Sequence, residues 1–206
     1  MNIRFEKQKY KQGYNLIIGC DEAGRGSLAG PVVAAAVILD FGFKKIKYGD
    51  IKDSKLLSQS KREQLSATVK KYASAWAVGV VEQKIIDRVN IHNAGLLAMK
   101  GAVKKVLKQV SSQTAKPLAL IDGKFQVPGI NVPQEAIVDG DNKVLSIAAA
   151  SILAKVHRDN LMLNAHKKYP VYNFAKHKGY GTLYHKEMIA KYGISPIHRI
   201  SFCTNC

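Results

Sequence analysis

Unbroken apolar runs, rather than alternating ones, mark the strands of this chain. Leu16 to Asp21 (LIIGCD) and Val32 to Leu39 (VVAAAVIL) are short hydrophobic stretches; an AGRG turn halts the first and Gly30-Pro31 opens the second. Runs of this kind suit a sheet with helices on both faces. Trp76 to Val81, Leu118 to Asp122 and Ala136 to Val138 predict three further strands. Helical spacing occupies the intervals. It covers Lys61 to Tyr72, Ile91 to Val110, Lys143 to Tyr169 (ended by Pro170) and Thr182 to Tyr192 (ended by Gly193). Strands alternating with helices predict an α/β layered fold. Residues 1–169 are expected to form its body, and residues 170–206 a small basic helical appendage continuous with it.

At 206 residues the chain can bury roughly 70% of its unfolded surface, so it needs no disulfides to hold a core. Its three cysteines (Cys20, Cys203 and Cys206) make no disulfide framework and suit a reducing compartment. No apolar run is long enough to span a bilayer, and the first 15 residues lack the apolar stretch of a signal peptide. The expectation is a soluble cytoplasmic protein with no membrane partner.

Charge narrows the partner. Lys plus Arg number 32 against 15 Asp plus Glu, a formal net charge of +17. Such a field attracts polyanions, and nucleic acid rewards it through counterion release. The excess is locally concentrated. From Leu163 onward there are seven Lys or Arg, one acid (Glu187) and four of the six histidines.

Against this basic background, Asp21, Glu22, Asp122 and Asp141 stand where predicted strands or helices end. Carboxylates brought together form a hard-oxygen site for Mg²⁺ or Mn²⁺, and two adjacent ions suit phosphodiester hydrolysis. Each acid also fits a plain structural role: Asp21 a turn acid, Asp122-Gly123 a tight turn, Asp141 a helix N-cap. Asp21 and Glu22 pose a geometric problem, because strand neighbours point to opposite faces. Composition leaves these readings open.

The string GCDEAGRGSLAGPVVAAAVIL resembles the opening motif of the ribonuclease HII family. Four more segments follow in that family's order: IKDSKLLSQSKR, LIDG, GDNKVLSIAAASILAKVHRDNLM and KYPVYNFAKHKGYGTLYHKEMIAKYGISPIHRISF. The resemblance implies a ribonuclease H-like fold, a mixed central sheet flanked by helices with a small C-terminal helical part. It implies an endonuclease that hydrolyses the RNA strand of RNA–DNA hybrids. The same enzyme would cut 5′ of ribonucleotides embedded in duplex DNA, leaving 3′-hydroxyl and 5′-phosphate ends. Mn²⁺ or Mg²⁺ in a two-metal site, and a monomer, are part of the same expectation.

By position, Asp21, Glu22, Asp122 and Asp141 match the family's metal-binding acids. Gly24, Arg25 and Gly26 match the turn that reads the 2′-hydroxyl, where a bare backbone can approach the sugar. Tyr180 matches the aromatic that packs on the next deoxyribose; without the resemblance it reads as a half-buried core tyrosine. Lys55 is expected at a phosphate, with Lys176, His177 and Lys178 as further contacts. Ala148, Ala149, Ala150, Ser151 and Ala154 are expected to form a small-residue helix face against the sheet. Arg158 and Asp159 read as a helix-surface ion pair.

The chain departs from the family pattern at three places. Ser27 stands where proline is usual, Val171 replaces a frequent glycine, and Asp139 adds an acid beside Asp141. Register with the Gly-Asp motif favours Asp141 as the site acid. Cys203-x-x-Cys206 is a lone pair and reads as tail cysteines. The short stretch before the first strand leaves no room for the N-terminal substrate domain of ribonuclease HIII. Two rivals stand beside this reading: another nuclease on the same architecture, and a basic nucleic-acid-binding protein without catalysis.

Overall fold

The structure, a computed structural model, describes residues 3–39, 51, 57–110 and 114–204. Its elements run α1 (Arg4–Lys11), β1 (Leu16–Ala23), β2 (Val32–Leu39), α2 (Gln59–Tyr72), β3 (Ala73–Val81), α3 (Gln83–Gln109), β4 (Pro117–Asp122), β5 (Gln134–Ile137), α4 (Gly140–Lys143), α5 (Leu145–Lys168), α6 (Phe174–His177) and α7 (Leu183–Tyr192). One mixed sheet has the order β3-β2-β1-β4-β5. β1, β2 and β3 pair antiparallel in sequence, whereas β4 and β5 join β1 in parallel.

The apolar runs sit where their pattern requires. Even-numbered residues Ile18, Cys20, Val32, Ala34 and Ala36 pack with Ala94, Ala98, Ala102 and Val106 of α3. The odd-numbered Val33, Ala35 and Val37 pack on the other face against Leu65 and Val69 of α2 and the Ala148–Ala154 stretch of α5. Both faces are therefore dry, which explains why the strands are continuous rather than alternating. A Cβ on Gly19 would lie 2.2 Å from the Ser146 carbonyl carbon. Hydrogen alone lets β1 approach α5 this closely, and that approach brings Ser151 over Asp21.

Several elements differ from the sequence expectation. Helix α1 was not foreseen, and it is structural: Glu6 is buried, and its Oε1 accepts from Ser146 N (2.9 Å) and Ser146 Oγ (3.2 Å), capping the start of α5. The helix expected over Lys143–Tyr169 is α5, which begins at Leu145; the short α4 before it, set off by extended backbone at Val144, was not expected. Helix α3 begins at Gln83, upstream of Ile91, but kinks at Asn90 (φ 65°, ψ 167°), whose Oδ1 accepts from Asn93 N at 3.0 Å. Asn90 thus caps a second leg that starts where the periodicity placed it.

The C-terminal segment is stitched to the turn after β1. Leu28 N donates to Gly179 O, Gly30 N to Ile197 O and Arg199 N to Leu28 O, each at 2.8 Å, and Ser27 bridges Tyr180. Among the described residues no helix is long and apolar enough to cross a membrane.

Candidate active site

Parallel pairing of β1 with β4 sets the site. Cys20 lies opposite Ile121, so the next step puts Asp21 and Asp122 at the same edge of the sheet. Asp21 follows the odd-numbered face towards α5, where Ser151 hydrogen-bonds it; Glu22 follows the other face, towards α3. The strand-alternation problem is solved at the end of the strand. One cleft of about 460 Å³ wraps around it and is lined by Asp21, Glu22, Asp122, Asp141, Lys155 and Tyr180, together with Gly24, Arg62 and Ser151. That volume admits a nucleotide-sized group, not only an ion. A smaller hollow on the α3 side is lined by Glu22 and Asp122 again, with Arg25 and His92.

The alternative structural roles are resolved. Asp21 lies within β1, not in a turn, and is 5% exposed. Asp122 does both jobs: its Oδ1 accepts from Gly140 N at 2.7 Å, tying β4 to α4, and it faces the cleft. Asp141 is inside α4 and 7% exposed, while the start of α5 is capped by Glu6. Asp139 is exposed in left-handed backbone, and its Oδ1 accepts from Asn142 Nδ2 at 2.8 Å, so it is Asp141 that lines the cleft.

Burial holds the Asp21 carboxyl well above its usual range, and the charges of Glu22 and Asp122 push it further. Burial also raises Glu22, opposed by Arg25, whose Nη1 donates to Glu22 Oε1 at 3.0 Å. Glu22 Oε2 is buried with no hydrogen-bond partner. Among the described residues, no three His, Cys, Asp or Glu side chains are gathered into a finished ligand set for one ion. An orphaned carboxylate oxygen, raised neighbours and an all-oxygen donor set fit a hard divalent cation.

The turn after β1 is held from below. Gly24 has φ +97°, and a Cβ there would lie 2.0 Å from Arg158 Nε. Arg25 and Gly26 are exposed beside the cleft. Arg158 and Arg199 are both 0% exposed. Arg158, read from the sequence as a surface ion-pair partner, instead donates to Pro31 O, Lys178 O and Ala29 O (3.0–3.2 Å). Asp159 pairs with Lys155 at 2.8 Å. Arg199 donates to Gly24 O (2.7 Å), Arg25 O (2.9 Å), Gly30 O (2.9 Å) and Pro31 O (3.2 Å).

Tyr180 is 40% exposed and not a core residue. Lys155 Nζ lies 5.7 Å and Arg158 Cζ 5.5 Å from its ring centroid. A second hollow runs on from the cleft past Tyr180, lined by Arg62, Lys155, Lys176 and Lys178. His177 also lines this hollow, but both its ring nitrogens are engaged within the protein: its Nε2 meets Tyr172 O at 2.6 Å and its Nδ1 accepts from Gly179 N. Lys55 and Cys206 lie outside the described residues; Cys203 is half-buried.

Residues that sequence reasoning missed are those behind the site. Arg199 and Arg158 carried no signal, since arginine is ordinarily exposed. The same holds for His185 and His198, whose Nε2 atoms face each other at 3.0 Å.

A mixed five-stranded sheet with carboxylates at the edge shared by β1 and β4, beside a basic groove, describes a nuclease of the ribonuclease H-like class. The ribonuclease HII family model matches residues 18–205. The ribonuclease HII of Acetivibrio thermocellus is 50% identical over 201 residues, 98% of this chain and 75% of that one. That of Caldicellulosiruptor bescii is 47% identical over 203 residues, 98% and 94% of the two chains. Among solved structures, the ribonuclease HII of Archaeoglobus fulgidus, in complex with PCNA, superposes with a TM-score of 0.70 at 26% identity. That match covers 90% of this chain and 94% of the other. A ribonuclease HIII in complex with Mn²⁺ shares the fold at TM-score 0.75 and 18% identity, over 91% of this chain and 67% of that one. The chain belongs to the ribonuclease HII family, divalent-metal-dependent endoribonucleases that cleave the RNA of RNA–DNA hybrids.

Proposed function

We propose that this cleft cuts the phosphodiester 5′ of a ribonucleotide, whether in a hybrid or embedded alone in duplex DNA, leaving 3′-hydroxyl and 5′-phosphate ends. The observation that carries this is the meeting, in one cleft, of Asp21, Glu22, Asp122 and Asp141 with the turn at Gly24 and the ring of Tyr180. Asp21, Glu22, Asp122 and Asp141 would hold two Mg²⁺ or Mn²⁺ ions. When bound, such ions activate water and stabilise the leaving oxygen.

The protein's own residues supply selection and grip. The turn at Gly24, Arg25 and Gly26 offers backbone polar groups to the 2′-hydroxyl, the atom that separates RNA from DNA. The ring of Tyr180 packs on the following sugar, where a second hydroxyl would crowd it. Arg62, Lys155, Lys176 and Lys178 neutralise phosphates along the groove, adding affinity without sequence preference. Lys55 belongs to the same set by its motif. The protein is expected to act as a monomer in the cytoplasm.

The test is a duplex carrying one ribonucleotide, incubated with Mn²⁺, with Mg²⁺ and with EDTA, and the cut mapped. Cleavage 5′ of the ribonucleotide that EDTA abolishes is expected. Tight, salt-sensitive binding without a cut would instead identify a non-catalytic binding protein.

A further inference from the structure

Arg199 comes from the far end of the chain, yet its guanidinium is buried directly beneath the exposed turn that follows β1. All three of its nitrogens donate to backbone carbonyls, including those of Gly24 and Arg25. A trans peptide holds its C=O and N–H on opposite edges of one plane. Fixing the Gly24 and Arg25 carbonyls from the buried side therefore aims the Arg25 and Gly26 N–H groups away from Arg199. Residues 25 and 26 are the exposed ones, beside the cleft.

Holding a fold together does not require this arrangement. Burying a second guanidinium close to that of Arg158, with backbone carbonyls as its hydrogen-bond acceptors, is costly compared with apolar packing. A fork that reaches several carbonyls at once is, however, well suited to locking two successive peptide planes. We propose that Arg199 is a positioning residue for sugar discrimination, setting the orientation of the Gly24–Arg25 and Arg25–Gly26 peptides that meet the 2′-hydroxyl. This rests on the reading of that turn as the sugar-sensing element.

The experiment compares Arg199→Lys, Asp87→Ala, Gly26→Ala and the unaltered protein. Asp87 accepts from Ile200 N and Ser201 N at 3.0 Å, so its loss loosens the same arm without removing the guanidinium. Each protein is titrated, in Ca²⁺ buffer where no cleavage is detected, with a duplex holding one ribonucleotide and with its all-deoxy counterpart. The readout is the ratio of the two affinities, with circular dichroism to verify the fold.

Arg199→Lys should stay folded, bind the all-deoxy duplex as before and narrow the ratio about tenfold, the equivalent of one misplaced hydrogen bond. Asp87→Ala should keep the ratio of the unaltered protein. Equal narrowing in both would make the effect general loosening and overturn the proposal. An unfolded Arg199→Lys overturns it too, because the claim is that the frame survives without the fork. If Gly26→Ala narrows the ratio and Arg199→Lys does not, the proposal alone falls. If Gly26→Ala leaves the ratio intact, the reading of the turn falls first.

Discussion

The carbonyl of Tyr180 is held by a chain of histidines whose protonation states follow from their partners. Ser195 N donates to His198 Nδ1 at 2.8 Å, so that nitrogen carries no proton and the neutral ring carries it on Nε2. This Nε2–H donates to His185 Nε2, leaving Nδ1–H of His185 to donate to Tyr180 O at 2.9 Å. Tyr172, Phe174 and His177 pack around the pair, and Lys178 follows His177 in the chain. A further proton on either ring would set two N–H groups head to head. Burial, and then the neighbouring histidines, lower both rings to about 4.

Acid should therefore weaken the fold. Free histidine titrates near 6.5, so between pH 6.5 and 4 the unfolded chain binds more protons than the folded one, and stability falls as pH falls. pH 5 lies about 1.5 units below the unfolded value of each ring and above its folded value, a loss of about 2 kcal/mol each and about 4 kcal/mol for the pair. Asp21, Glu22 and Glu6, all raised by burial, act in the opposite sense, so the diagnostic is a difference between proteins. Urea unfolding of the unaltered protein and of His198→Asn, measured from pH 7.5 to 4.5, provides it. His198→Asn should be weaker at pH 7 but lose about 2 kcal/mol less on going to pH 5. Parallel curves for the two proteins would refute the histidine chain as drawn.

Four other outcomes are expected. Asp21→Asn and Asp141→Asn should each lower kcat more than about a hundredfold, since even outer-shell partners of a metal are worth 10–100-fold. Asp21→Asn should also raise the melting temperature in EDTA, because it removes a charge that burial and Glu22 disfavour; a lower one would contradict the electrostatics. Gly24→Ala forces an alanine to φ +97° against Arg158 and should cost at least about 1–3 kcal/mol in denaturant unfolding, whereas Gly26→Ala, with open space around it, should stay within about 0.5 kcal/mol. Tyr180→Ala should impair cleavage at a single embedded ribonucleotide more than in a long hybrid while Tyr180→Phe spares both; equal losses on the two substrates would remove the junction role.

What the sequence disclosed follows from which physical signals are local. β1, β2 and β4 are continuous apolar runs because both faces are covered, and such runs are visible without any fold. The acids were visible as residues but not as a site, since Asp21 and Asp122 meet only through parallel pairing across about a hundred positions. The family motif supplied that connection. Helix α1 was hidden because its value lies in Glu6 capping a helix 140 positions away. The short α4 was hidden because Gly140, Asp141 and Asn142 are poor helix formers that read as a turn. Arg158 was misjudged because nothing in a helical pattern says that a guanidinium will find backbone carbonyls to satisfy it inside the protein.

The same facts explain why the basic C-terminal segment is integral to the site. A cluster of buried carboxylates works against folding, so the elements bearing it must be held by interactions independent of the acids. The sheet does this for Asp21 and Asp122. The turn at Gly24 has no ladder of its own. It is held by Arg199, by backbone bonds to Gly179 and Ile197, and by Arg158 at Ala29 and Pro31. Tyr180 hangs from the same frame through Ser27 and His185. Sugar sensing and junction sensing thus share one support in the C-terminal segment, through Arg199 under the turn and His185 behind Tyr180.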